Sequence, residues 1–238
     1  MNFYIEKIRG FVNYSHYIDH QYISYRTEKG FNKKYYHLCS ALDALGDAEC
    51  AIDDYLKLKK LEGRGINYVY IYGILQVLNL RNEALINVYN TLMKESIFKK
   101  DEKGIYINED EDFQVIRLLR NKLVAHPFNN DAKDHAYGIA VHGLNTFGFF
   151  PYRFDSSRNK EGIEENKSKT VHEKVKALKD GDITPIYFDI EELINHQNNK
   201  LEKYLKEICA FLDEERKRIG EPKVPDFDDN EVENQENF

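Results

Sequence analysis

Tryptophan is absent from this 238-residue chain, and cysteine is scarce, with only Cys39, Cys50 and Cys209. Without Trp, the large side chains must come from 17 Tyr and 14 Phe. Three cysteines are too few for a disulfide framework and fit a reducing compartment. Cys39 and Cys50 fall on one predicted helix, about 16 Å apart at ~1.5 Å per residue, which is too far to bridge. No apolar run is long enough to span a bilayer, so no membrane partner is expected. The opening MNFYIEKIRG lacks the charged-then-apolar order of a signal peptide, and the expected location is cytoplasmic. Glycine-rich phosphate loops are missing, since ALDALGDAE and VYIYGIL carry single glycines. No internal repeat is visible.

An excess of charge of one sign is missing too, once the tail is set aside. The chain carries a formal −7, but its final stretch, EPKVPDFDDNEVENQENF, holds seven acids and one lysine. The remainder is close to neutral and neither advertises nor excludes a nucleic-acid partner. The segment 220–238 has too few apolar residues to pack and reads as a disordered acidic tail.

What is present is helical periodicity. Ile5, Ile8, Val12, Ile18 and Tyr22 predict a first helix over 3–26, stopped by Lys29-Gly30. Tyr35, Leu38, Leu42, Leu45, Ile52 and Leu56 predict a second over 33–61, punctuated by EGRG. A third, over 66–98, is apolar nearly all round in VYIYGILQVL, as for a helix central to a bundle, although Gly73 weakens it. The acids Glu109 to Asp112 suit the positive end of a fourth helix.

The pattern changes after Pro127. Residues 135–154 read as two short strands around Leu144-Asn145. Thr170-Val-His-Glu173 fits a capping box opening a short helix through Val175 and Leu178, and TPIYFDI a third strand. The last helix carries Ile190, Leu193, Ile194, Gln197, Leu201, Tyr204, Leu205, Ile208, Phe211 and Leu212 at helical spacing. The expected fold is mainly α: one domain over 1–219 with a small β-rich insertion at about 137–189, before the last helix.

The fourth helix carries the motif IRLLRNKLVAHPFNND, residues 116–131. Taking ~100° per residue from Phe113, the apolar arc runs from about 200° through 20° and contains Val115, Ile116, Leu119, Leu123 and Val124. Arg120 falls at about 340°, inside that arc, with Arg117 and Asn121 at its edge. His126 would fall at about 220°, although Pro127 biases it out of the helical region. A cation placed where burial is expected needs an anion or several acceptors. Two readings of these residues stay open. Arg120 meets an anionic ligand, or it pairs with an acid of a neighbouring helix while His126 caps the helix end.

Arg120-Asn121, then Lys-Leu-Val-Ala, then His126, near the end of a helix in a helical bundle, resembles the HEPN superfamily. Its mark is an Arg, usually followed by a polar residue, four to six residues before a His. The resemblance covers roughly 34–126 and 190–219, whereas the strand-rich insertion is not part of the core HEPN bundle and looks more like elaborations of abortive-infection and toxin members. It implies a metal-independent endoribonuclease, a toxin or phage-defence effector acting as a homodimer on RNA, with a cognate antitoxin as a further partner. Arg120, His126 and Asn121 would be catalytic, Arg117 and Lys122 would bind substrate, and no cofactor would be required.

The chemistry suits these residue types. RNA supplies its own nucleophile in the 2′-OH, histidine transfers protons near neutral pH, and arginine offers a fork matched to phosphate. One His cannot be base and acid at once, and a two-fold dimer would supply a second. The rival readings are a non-catalytic HEPN-like scaffold and a nucleotide-binding partner of a nucleotidyltransferase. An acid facing Arg120 would favour the scaffold. His16 and His20 lack the HExxH context of a metal site, His135, His142 and His172 have no ligand spacing, and DFDDNE lacks the glycine and spacing of a calcium loop. Lys57, Lys59, Lys60 and Arg64 form a basic cluster that would guide RNA or simply end a solvated helix.

Overall fold

Long apolar periodicities separated by glycine or charge dictate the element order. The computed structural model describes residues 1–14, 26–27, 30–31, 33–58, 63–93, 102, 111–122, 137–142, 144–151, 168–180 and 184–220. Six helices occur among them: α1 (Asn2–Tyr14), α2 (Lys33–Lys57), α3 (Arg64–Leu92), α4 (Glu111–Arg120), α5 (Val171–Asp180) and α6 (Ile190–Ile219). The strands are β1 (Arg26–Thr27), β2 (Gly30–Phe31), β3 (Tyr137–His142), β4 (Thr146–Pro151) and β5 (Ile186–Asp189). The fold is therefore mainly helical, with a small three-stranded antiparallel sheet, ordered β3-β4-β5, before the last helix.

One expectation fails at the first helix. Arg26–Thr27 pairs antiparallel with Gly30–Phe31, so the helical pattern does not reach residue 26. Ile18 and Tyr22 lie outside the described residues, as do His16, His20 and the acidic tail beyond Gly220. A two-residue strand is set by its cross-strand partner, which a helical repeat does not register.

The chain divides into two units: Met1–Cys50 with Leu80–Asn108 and Asn199–Phe238, and Ala51–Asn79 with Glu109–Asn198. In the first, Ile5, Ile8, Phe11 and Val12 of α1 and Leu38, Leu42 and Leu45 of α2 are buried, as are Leu85, Ile86 and Val88 of α3 and Leu201, Leu205 and Ile208 of α6. Arg9 donates from Nη2 to the Leu42 carbonyl at 2.9 Å. The guanidinium lies against Gly46, where a Cβ would stand 2.6 Å from Arg9 Nη2 and would push it aside.

The first unit also holds two buried cations. Arg81 is fully buried and ion-paired with Glu49. Arg216 is buried over the Phe11 ring, 5.7 Å from its centroid, and lies 3.6 Å from Asp213. Cys209 is buried among these helices, and burial pushes its thiol up to about 11, away from nucleophilic use.

In the second unit the sheet turns its inner face, Val141, Phe147, Phe149, Ile186 and Phe188, onto Val171, Val175 and Leu178 of α5. The same core takes Ile71, Ile74, Leu75 and Leu78 of α3, Val115, Ile116 and Leu119 of α4, and Ile190, Leu193 and Ile194 of α6. The hairpin closes around Leu144-Asn145, with His142 opposite Thr146. Tyr55 of α2 donates its hydroxyl to the Leu144 carbonyl. Burial first, then the charges of Asp189 and Glu191, pushes that phenol far above its ordinary value and keeps it a donor.

Helix ends in this unit are chemically fixed. Thr170 N donates to Glu173 Oε2 at 2.8 Å and Glu173 N to Thr170 Oγ1 at 3.4 Å, the reciprocal capping box legible in the sequence. Asp189 accepts from Glu192 N at 3.0 Å and so caps α6. Gln197, placed among the apolar positions of α6, is buried and donates to the Leu78 carbonyl at 2.7 Å.

Helix α3 departs from its all-apolar reading. Ile66, Val69, Gly73 and Gln76 form an exposed stripe, with Val69 64% exposed. Their spacing of three, then four, then three positions keeps them on one face of the helix.

Candidate functional site

Burial of Phe113, Val115, Ile116 and Leu119 orients α4 as its periodicity predicts. Arg117 and Arg120 are half-buried on the same helix, one turn apart. After Arg120 the backbone passes into a π-helical turn at Asn121 and Lys122, both half-buried. Such widened turns are frequent at functional sites. His126 lies outside the described residues, with Leu123 and Val124. Its position relative to Arg120 is therefore set only by sequence.

Arg120 was expected within the buried arc, yet it is half-buried. A long side chain lays its methylenes along the apolar surface and carries its head outward. Here the head reaches α3: Arg120 Nε donates to Gln76 Oε1 at 2.9 Å. Its Nη1 donates to Asn121 Oδ1 at 2.8 Å. No carboxylate faces it among the described residues, and both contacts are neutral amides. The buried cations are instead Arg81, Arg216 and Lys174, and each has a carboxylate partner.

The polarity of this corner follows from the hydrogen-bond inventory. Arginine has only donors, so each amide must turn its oxygen toward it and keep its NH2 group for something else. Among the described residues, Arg120 Nη2, Gln76 Nε2 and Asn121 Nδ2 remain as donors around a guanidinium that meets no carboxylate. Such a set accepts an anion. It is the wrong chemistry for a metal cation, which needs lone pairs. Among the described residues, no three His, Cys, Asp or Glu side chains gather in a metal-holding group.

Gln76 is the residue that sequence reasoning missed. Its signal was present as the single strongly polar side chain inside VYIYGILQVL. What the sequence could not supply is the partner, a residue 44 positions away on another helix.

The other described sequence candidates have partners of their own. Lys57 pairs with Asp54 at 3.1 Å on its own helix, while Lys59 and Lys60 lie outside the described residues. His142 shares the outer sheet face with Phe150 and Tyr187, at ring separations of 6.2 and 5.7 Å. His172 packs edge-on against His196 of α6, with centroids 4.9 Å apart. No helix among the described residues is long and apolar enough to cross a membrane.

Fold and site together define a mainly helical protein with a small sheet and an amide-braced arginine. No family model, curated protein or solved structure matches the chain.

Proposed function

We propose that this protein is a metal-independent endoribonuclease of HEPN type, a toxin or phage-defence effector that cuts RNA through its 2′-OH. The observation that carries the reading is the bracing of Arg120 by Gln76 and Asn121, two groups that fix a guanidinium without neutralising it. A scaffold role would be served better by a carboxylate, as at Arg81. A phosphate-binding role needs the charge left over.

In the proposed reaction His126 takes the proton from the 2′-OH, and the freed oxygen attacks the adjacent phosphorus. The 5′-oxygen leaves with a proton from a second acid, giving a 2′,3′-cyclic phosphate and a 5′-OH. Arg120 stabilises the charge that builds on the non-bridging oxygens, Asn121 holds it in place, and Arg117 and Lys122 guide the strand by charge. The second acid is His126 of another copy of the chain. The exposed stripe Ile66, Val69 and Gly73 adjoins Gln76 on α3 and supports a homodimer with its two-fold axis near this corner.

The test is cleavage of a structured RNA by wild type, His126→Ala and Arg120→Ala in EDTA, with product ends mapped. Wild type is expected to remain active and to leave cyclic-phosphate ends. His126→Ala should lose about 10²–10⁴-fold, the usual worth of general acid–base catalysis. Full cleavage by folded His126→Ala protein would refute the reaction.

A further inference from the structure

We propose that Gln76 is a positioning residue that holds the Arg120 guanidinium for the RNA phosphate while leaving its charge intact. The inference rests on the ribonuclease reading and adds a residue from a different helix to its site. Gln76 is exposed, and an exposed glutamine on a helix is ordinarily satisfied by water. Here its Oε1 is committed to Arg120 Nε at 2.9 Å, the donor at the root of the guanidinium fork. Together with Asn121 Oδ1 at Nη1, 2.8 Å away, it fixes the plane of the fork at two nitrogens, and Nη2 has no partner among the described residues. An arginine held at one nitrogen swivels; one held at two does not.

The side-chain types decide between bracing and pairing. A glutamate would reach the same nitrogen with the same length, but would cancel the charge and compete with phosphate. Glutamine supplies the acceptor alone and adds its own NH2 to the donor set. One turn earlier on the same face, Gly73 has nothing within 4 Å of where a Cβ would be. A helical side chain leans toward the preceding turn, so the bare turn keeps a neighbouring side chain of the same helix off Gln76 and its partner.

Two substitutions separate the roles of shape and charge. Gln76→Glu keeps the brace and cancels the charge. Binding of a single-stranded RNA made uncleavable by 2′-O-methyl groups should weaken about tenfold, and its salt slope should fall by about 0.7, the value of one lost phosphate contact. Gln76→Met keeps the length and removes the acceptor. It should leave the salt slope unchanged and lower kcat at least about tenfold on the unmodified RNA, with little change in KM. A merely structural glutamine would shift the melting temperature and neither of these readouts.

Wild-type kcat and salt slope in both folded variants would overturn the proposal. Arg120→Ala distinguishes the two layers. If it abolishes cleavage while both Gln76 variants behave as wild type, only the role of Gln76 fails. If Arg120→Ala itself cleaves normally, the ribonuclease reading falls and the proposal with it.

Discussion

Arg81 and Arg120 are both arginines set into amphipathic helices, and their surroundings have opposite chemistry. Arg81 in the first unit has no exposed surface and sits on the carboxylate of Glu49. Arg120 in the second is half-buried and touches only amide oxygens among the described residues. A buried guanidinium left alone costs several kcal/mol, so the first site has to supply a countercharge from within the chain. The second keeps water beside its cation and needs only geometry. On the proposed reading, the partner's charge, more than the depth of the cation, separates an arginine that closes a fold from one left for a ligand.

The largest effect is expected at Glu49. Glu49→Ala strands Arg81 in the core and should destabilise the protein by about 3–5 kcal/mol in urea unfolding. A cost below about 1 kcal/mol would mean that Arg81 finds other acceptors and is no more structural than Arg120.

Lys174 stands between these extremes. Its ammonium is buried and lies 2.9 Å from Glu192, a carboxylate that water still reaches. Glu192→Ala should therefore cost less than Glu49→Ala, about 1–2 kcal/mol by the same measurement. An equal cost in both would show that water near the carboxylate does not soften the loss.

Smaller again is the capping box of α5. Thr170→Ala removes the hydroxyl that Glu173 N reaches and should cost about 1 kcal/mol. Thr170 also holds the Glu173 carboxyl below its ordinary range, chiefly through the backbone hydrogen bond. A depressed carboxyl contributes stability above its unfolded pKa and loses it as pH falls through the folded one. The cap's contribution should accordingly fade only in acid, below the usual glutamate range, when the urea midpoint is followed against pH.

Much of this contrast was legible residue by residue. The face of α4 follows from Phe113, Val115, Ile116 and Leu119, because a helical repeat records which side is buried. The hairpin at Leu144-Asn145 and the Thr170–Glu173 cap were legible for a related reason: their partners lie within a few residues. What failed depends on distant partners. Arg81 lies beside Asn82 in a helix whose pattern says nothing of Glu49, which belongs to the helix before it. Gln76 was visible as an anomaly in an apolar stretch, but its meaning came only with the packing of α3 beside α4. The apolar look of α3 also overstated its burial, since composition cannot tell that Ile66 and Val69 face outward.

On this account the charge of Arg120 serves a ligand and not the fold. Urea unfolding of Arg120→Ala, with RNA cleavage measured on the same preparation, decides the matter. Stability should stay within about 1 kcal/mol of wild type, as expected where no buried countercharge is stranded. Cleavage should fall at least about a hundredfold, as when an oxyanion donor is removed. Destabilisation on the scale of Glu49→Ala, or cleavage at the wild-type rate, would contradict it.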